Sequence, residues 1–228
     1  MDIALDIDAL VWEGGAHMMF GRLYLDVLAL PMARLHGERG LELARPVGAM
    51  EQLRTAAELL AQTLIAQGDW SRAEALLSEF QAELSVETQT VSSRGIAGAR
   101  AELALARGDA KTALSLIEQL IETAAHTPGS RGHTREGKVV PRLWHVRGLA
   151  LHKLNQHDEA ERALQAGADA AKAQALKPTH WRILVSLGKL YQVRRRAEQA
   201  QATFQQAREI VQSLAGELND SDLRPGLL

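Results

Sequence analysis

Cysteine is absent from the 228-residue chain, and aromatic residues make up only 4% of it. The first absence excludes disulfides, thiolate metal sites and cysteine nucleophiles, and argues against a disulfide-framed secreted module. The second, together with few β-branched residues, argues against a β-sandwich. No sign of charge dominates: 26 Lys and Arg against 28 Asp and Glu leave a net of −2. That balance argues against a chain that binds nucleic acid over its whole surface. Charge also breaks every apolar run well before about 18 residues, so no membrane span is expected. Met1-Asp2-Ile3-Ala4 carries an acid where a signal peptide carries positive charge, and the expected location is cytoplasmic.

Catalytic patterns are missing too. The chain contains no H-E-x-x-H, no G-x-S-x-G and no G-x-G-x-x-G. Its 8 histidines are scattered. His145 and His152 share a helical face but lie two turns apart, about 10 Å, too far to chelate one metal as i, i+4 pairs do. Asp158, Glu159 and Glu161 suit a helix N-terminus, where acids complement the dipole. The expectation is a protein that is not an enzyme, with no metal and no cofactor.

Alanine and leucine are abundant, at 37 and 35 residues, and both favour helix. They are arranged in a repeat. Gly68-Asp69-Trp70-Ser71-Arg72-Ala73 and Gly108-Asp109-Ala110-Lys111-Thr112-Ala113 are similar hexads, followed by Asn155-Gln156-His157-Asp158-Glu159-Ala160 and Arg195-Arg196-Ala197-Glu198-Gln199-Ala200, each closing on alanine. The closing alanines are 40, 47 and 40 residues apart. Leu187-Gly188 with Tyr191, and Gly148 with Leu151, precede the last two alanines at matching offsets. Running the period back from Ala73 lands on Ala33, preceded by Phe20-Gly21 and Tyr24. Such a period signals stacked supersecondary units.

These positions resemble the tetratricopeptide repeat, whose pattern runs Trp, Leu-Gly, Tyr, Ala, Phe, Ala, Pro. The resemblance covers about residues 14–215 and implies an all-α fold: a right-handed superhelix, or α-solenoid, of about five helix pairs. Pairs are expected at 16–29 and 31–45, 49–67 and 70–86, 92–107 and 110–126, 140–154 and 158–175, and 179–194 and 197–216. The repeat units run about 14–47, 54–87, 94–127, 141–174 and 181–214, within one domain spanning 1–228. Gly21, Gly148 and Gly188 let helices approach closely, and the alanines sit where helices cross. Tyr24, Leu64, Leu151, Tyr191, Leu77, Ile117, Leu164 and Phe204 fill the space between. Gly37 and Gly40 occupy sites that usually hold larger residues. Gly68-Asp69 and Gly108-Asp109 pair a C-terminal glycine with an N-cap acid, Asp158 is a candidate cap, and Pro31 opens a second helix. Trp144 and Trp181 are expected to pack between helices, and Trp70 to staple a helix entry. Trp12 precedes the repeats and could cover their open end.

The 47-residue spacing holds a loop insertion at 126–140, rich in glycine and polar residues. Gly132 to Lys138 reads G-x-x-x-x-G-K, but Val139 replaces the Ser or Thr of a phosphate loop and a helix precedes it where a strand belongs. The segment is read as a basic loop. Charge is uneven along the chain: residues 1–125 carry 10 basic and 18 acidic side chains, and 126–228 carry 16 and 10.

In the tetratricopeptide family the first helices line a concave groove. By register the groove positions fall on Arg142, His145, Leu149, His152 and Lys153, and on Arg182, Val185, Lys189 and Gln192. Earlier positions fall on Glu58, Gln62 and Ile65, and on Gly98, Glu102 and Leu105. Arg142, His145, His152, Arg182 and Lys189 would supply charge, and Leu149 and Val185 apolar contact. Such a groove suits an acidic or phosphorylated peptide of a protein partner; a plain solvated face is the alternative. Leu149 stands where the family's chaperone-binding clamp needs asparagine, so that ligand is not expected. The triplet Arg194-Arg195-Arg196 reads as a solvated turn, or a contact for a neighbouring domain. The run Ala215-Gly216-Glu217-Leu218-Asn219-Asp220-Ser221-Asp222-Leu223-Arg224, which leads into a C-terminal tail at 217–228, resembles the segment closing the C-terminal repeat sensor region of large bacterial signalling ATPases and transcription regulators. The resemblance implies an interaction scaffold, the sensor or adaptor part of a signalling or regulatory system, with no direct nucleic acid or membrane contact. Two other readings stay open: a module like a peptide-pheromone receptor, and a structural subunit that self-associates as a homodimer through its repeats.

Overall fold

The computed structural model describes residues 2–80, 90–124 and 140–218. Among them are ten α-helices and no strand: α1 Asp2–Asp26, α2 Leu30–Val47, α3 Met50–Gln67, α4 Trp70–Ser78, α5 Val91–Ala106, α6 Ala110–Ala124, α7 Pro141–Lys153, α8 His157–Ala173, α9 Lys177–Val193 and α10 Ala197–Glu217. The fold class is therefore all-α, built as helix pairs. The loop at 126–140 with its Gly132–Lys138 motif, apart from Val140, lies outside the described residues, as does the tail from 219.

The chain divides into two compact units, Met1–Arg107 and Gly108–Leu228. In the first, α1 packs on α2 and α3, and α3 packs on α2, α4 and α5. Its main core joins Leu41, Leu60, Leu64, Leu77, Phe80 and Ile96, and a smaller cluster joins Leu25, Ala33 and Leu59. In the second, α7 packs on α6, α8 and α9, and α9 packs on α8 and α10. Leu151, Leu164, Ile183, Leu187, Leu190 and Tyr191 form its centre, with Trp144, Trp181 and Phe204 packed against them.

The sequence repeat has a packing cause. All five register alanines, Ala33, Ala73, Ala113, Ala160 and Ala200, are buried. A Cβ at Gly148 would lie 2.5 Å from Leu164 Cγ, and one at Gly188 would lie 2.6 Å from the Phe204 ring. Glycine there lets α7 approach α8, and α9 approach α10, with the larger side chain seated over the helix backbone. Gly37 and Gly40 work the same way: a Cβ at Gly40 would stand 3.2 Å from Met18 Cγ, so these unusual glycines also mark close approaches.

Helix ends follow the expected chemistry in part. Gly68 and Gly108 adopt positive φ of 79° and 90°. The Asp69 carboxylate accepts from the Arg72 N–H, and that of Asp109 from the Thr112 N–H at 3.1 Å. Pro31 and Pro178 occupy first turns, where the missing N–H has no intrahelical partner to lose. Asp158 does not cap α8. That helix opens at His157 with Gln156 as its N-cap, and Asp158 instead pairs with Arg194 at 2.6 Å. The first helix starts at Asp2, well ahead of residue 16, so Trp12 is a helical residue of α1 with 80% of its surface exposed and covers no open end.

Candidate functional site

The carried-over groove residues of the second unit lie on α7 and α9, which pack against each other. At a period of 40 residues, Arg142 corresponds to Arg182, His145 to Val185, Leu149 to Lys189 and His152 to Gln192. On each helix these positions fall on one side, since residues 3, 4 and 7 apart share a helical face. Lys153 adjoins the same side of α7. The register thus gathers all nine residues on two neighbouring helices, yet their environments differ sharply.

His145 is half-buried at the α7–α9 seam. Its Nε2 lies 2.8 Å from Ser186 Oγ. The Ser186 hydroxyl donates to the Arg182 carbonyl oxygen at 3.1 Å, so its oxygen accepts from the imidazole N–H. Burial, and then the nearby Arg182 charge, lower the His145 pKa to about 4. At neutral pH this imidazole is uncharged and serves as a linker between helices, not as a cationic contact. His152 departs from its expected charge for similar reasons. Its Nδ1 lies 3.3 Å from His157 Nδ1, and burial, His157 and Lys153 all lower its pKa.

Arg182 is tied to its own helix. Its Nη1 donates to the Pro178 carbonyl oxygen at 2.8 Å, and its guanidinium sits 4.8 Å from the Trp181 ring centroid. Arg142, Leu149 and Val185 are partly buried. Lys153, Lys189 and Gln192 are exposed. Neither lysine enters an ion pair among the described residues. The open positive charge of this surface therefore lies on two lysines, one per helix.

The arginine triplet behaves differently from a solvated turn. Arg194 pairs with Asp158 and Glu161, and Arg196 with Glu161, each at 2.6 Å. The Arg196 guanidinium also lies 4.6 Å from the Tyr191 ring centroid. Only Arg195, at positive φ of 59°, projects away from this network, into a depression of about 520 Å³. Gln192, Phe204, Gln205 and Arg208 line that depression between α9 and α10. Sequence reasoning missed Arg208 and Gln205, because both lie on a second helix, outside the positions that the family groove uses.

In the first unit the groove register fares worse. Gln62, Gly98 and Leu105 are buried. Arg22 Nη1 donates to Gln62 Oε1 at 2.6 Å, and Gln62 Nε2 donates to Glu58 Oε1 at 2.7 Å. These polar groups close an internal network between α1 and α3. Among the described residues no cluster of three or more histidine and carboxylate side chains could hold a metal ion. No described helix is long and apolar enough to cross a membrane.

Neither a family profile nor a curated protein matches the sequence. Solved structures do. BtubC (BKLC) from P. vanneervenii matches at a TM-score of 0.59 and 21% identity, covering 87% of this chain and 80% of that one. MamA 41-end from Desulfovibrio magneticus RS-1 matches at a TM-score of 0.49 and 16% identity, covering 85% and 96%. A MamA RS-1 double mutant gives 0.49 and 16%, covering 86% and 97%. At these identities the likeness to BtubC is one of fold, and it agrees with a tetratricopeptide-like helical repeat.

Proposed function

We propose that the chain is a non-enzymatic interaction module whose α7–α9 face docks an acidic or phosphorylated segment of a protein partner. On this reading it is the sensor or adaptor part of a signalling or regulatory system, needs no cofactor, and acts as one repeat array over residues 1–228. The carrying observation is the pair Lys153 and Lys189: both are exposed and, among the described residues, enter no ion pair, whereas Arg147, Arg194 and Arg196 nearby are matched by acids. Unmatched, strongly hydrated ammonium groups on neighbouring helices attract anionic groups and set on-rate and register. Leu149 and Val185 supply the apolar floor, and Gln192 a polar edge. Beneath it, His145 bridges the two helices through Ser186.

The test is fluorescence anisotropy of the purified chain against panels of acidic and phosphorylated peptides. Charge reversal of both lysines, Lys153→Glu with Lys189→Glu, should weaken the best binder by more than about tenfold, while circular dichroism stays helical because both side chains are exposed. Unchanged affinity, or no binder in the panel above that of scrambled controls, removes the reading.

A further inference from the structure

The first helix is apolar on two opposite sides. Gly14, Gly21 and Leu25 lie on its inner side, toward α2 and α3. A polar surface is expected opposite them, since a helix that is hydrophobic all round is normally covered all round. The opposite side instead carries Ala9, Trp12, Ala16, Met19 and Leu23, all exposed. Trp12, Met19 and Leu23 leave 80%, 77% and 48% of their surface open. Elsewhere, exposed Val91, Val140, Leu176 and Val193 stand singly at helix ends, and exposed Met32 and Leu35 make one step of three on α2. Only on α1, among the described residues, do such side chains follow steps of 3, 4, 3 and 4 residues. That spacing is the seam of a coiled coil, which a second helix must complete.

We infer that a second copy of this chain covers the seam, with the two α1 helices antiparallel. The stripe is complementary to itself in that orientation. Ala9 falls opposite Met19 of the second copy, and Trp12 opposite Ala16 of the second copy, so each large side chain meets a small one and the layers fill. Charge selects the same direction. Asp8 and Arg22 flank one edge of the stripe, and the antiparallel pairing sets Asp8 beside Arg22 of the other copy at both ends. A parallel pairing would set Asp8 against Glu13 on both edges, whereas the antiparallel one sets only Glu13 against its own copy near the axis, where Arg39 of the same chain already matches it. Arg22 reaches Gln62 and Glu58 within its own chain but keeps 41% of its side chain exposed. Between Asp8 and Arg22 on that edge lies Gly15, with nothing within 4 Å of its Cβ position, which lets the helices close at the two-fold axis. The inference stands apart from the α7–α9 reading, since it concerns another unit and another face.

Sedimentation velocity of the full chain across a concentration series tests it, with a monomer–dimer equilibrium as the expected result. Trp12→Lys with Met19→Lys should raise the dimer dissociation constant at least about tenfold, with an unchanged circular dichroism spectrum because neither side chain packs within the protomer. The cysteine-free chain allows a second readout: a short bis-maleimide should link an Ala9→Cys chain to a Met19→Cys chain and should not link Ala9→Cys to itself. A chain that stays monomeric up to about 100 μM overturns the inference and leaves the face to a different protein. A dimer unmoved by the lysine variant, or self-linking of Ala9→Cys, overturns it as well.

Discussion

At the scale of single residues, the least legible feature is the protonation state of His145. Nothing adjacent in sequence neutralises it; its partner Ser186 lies on α9, 41 residues away. Because burial and Arg182 depress its folded-state pKa to about 4, the unfolded chain binds more protons between that value and the ordinary histidine range. Stability is then complete above the unfolded pKa and falls as pH drops toward 4, with a slope of up to about 1.4 kcal/mol per pH unit from this group. Urea unfolding of the wild type and His145→Gln at pH 7 and pH 5 should show a smaller loss in the variant. An equal loss in both would mean that other groups carry the dependence. By contrast, Ala73 and Ala160 were legible from sequence alone, because a site that admits only a methyl group leaves its mark at every repeat.

At the scale of helices, close approach is the organising feature. A Cβ at Gly188 would meet the Phe204 ring at 2.6 Å, so Gly188→Ala must push α9 and α10 apart or displace the ring. A loss of about 1–3 kcal/mol is expected. Gly216 is the control: it lies near the end of α10 with nothing within 4 Å of its Cβ position. Gly216→Ala should be neutral or stabilise by about 0.5–1 kcal/mol through helix propensity. Urea midpoints that move in opposite directions check both expectations. Helix ends were legible where glycine and aspartate share the turn, at 68–69 and 108–109. They were not where Leu28, Asn155, Ala175 and Arg195 take the left-handed conformation without glycine, at φ between 55° and 62°. There the backbone bonds that close the turn, such as Leu176 N–H to Ala171 O, impose the conformation.

For the whole molecule, the division at Arg107–Gly108 assigns each compact unit its own core. The main cluster of the second unit, from Leu114 to Ile210, takes no residue from the first. Residues 108–228 expressed alone should therefore give a helical spectrum and a cooperative urea transition, as neighbour-stabilised repeats do. A non-cooperative melt with strong binding of a hydrophobic dye would refute this. The same fragment should keep any affinity for acidic peptides and should not dimerise, because α1 is missing from it.

The sequence by itself determined the helical class, the pairing of helices and the buried register, since each depends on short-range periodicity and on side-chain size at crossings. Tertiary structure decided which polar groups remain open. Arg194 and Arg196 look free in sequence but are neutralised across α8 and α9, and Gln62 is buried in a network that reaches α1. Lys153 and Lys189 keep their charge facing solvent. Trp12 and Met19 keep apolar surface there, on a helix whose inner side is already occupied. The physical reason is range: packing size repeats along the chain, whereas charge pairing and exposure depend on which side chains the folded backbone brings within a few ångströms of each other.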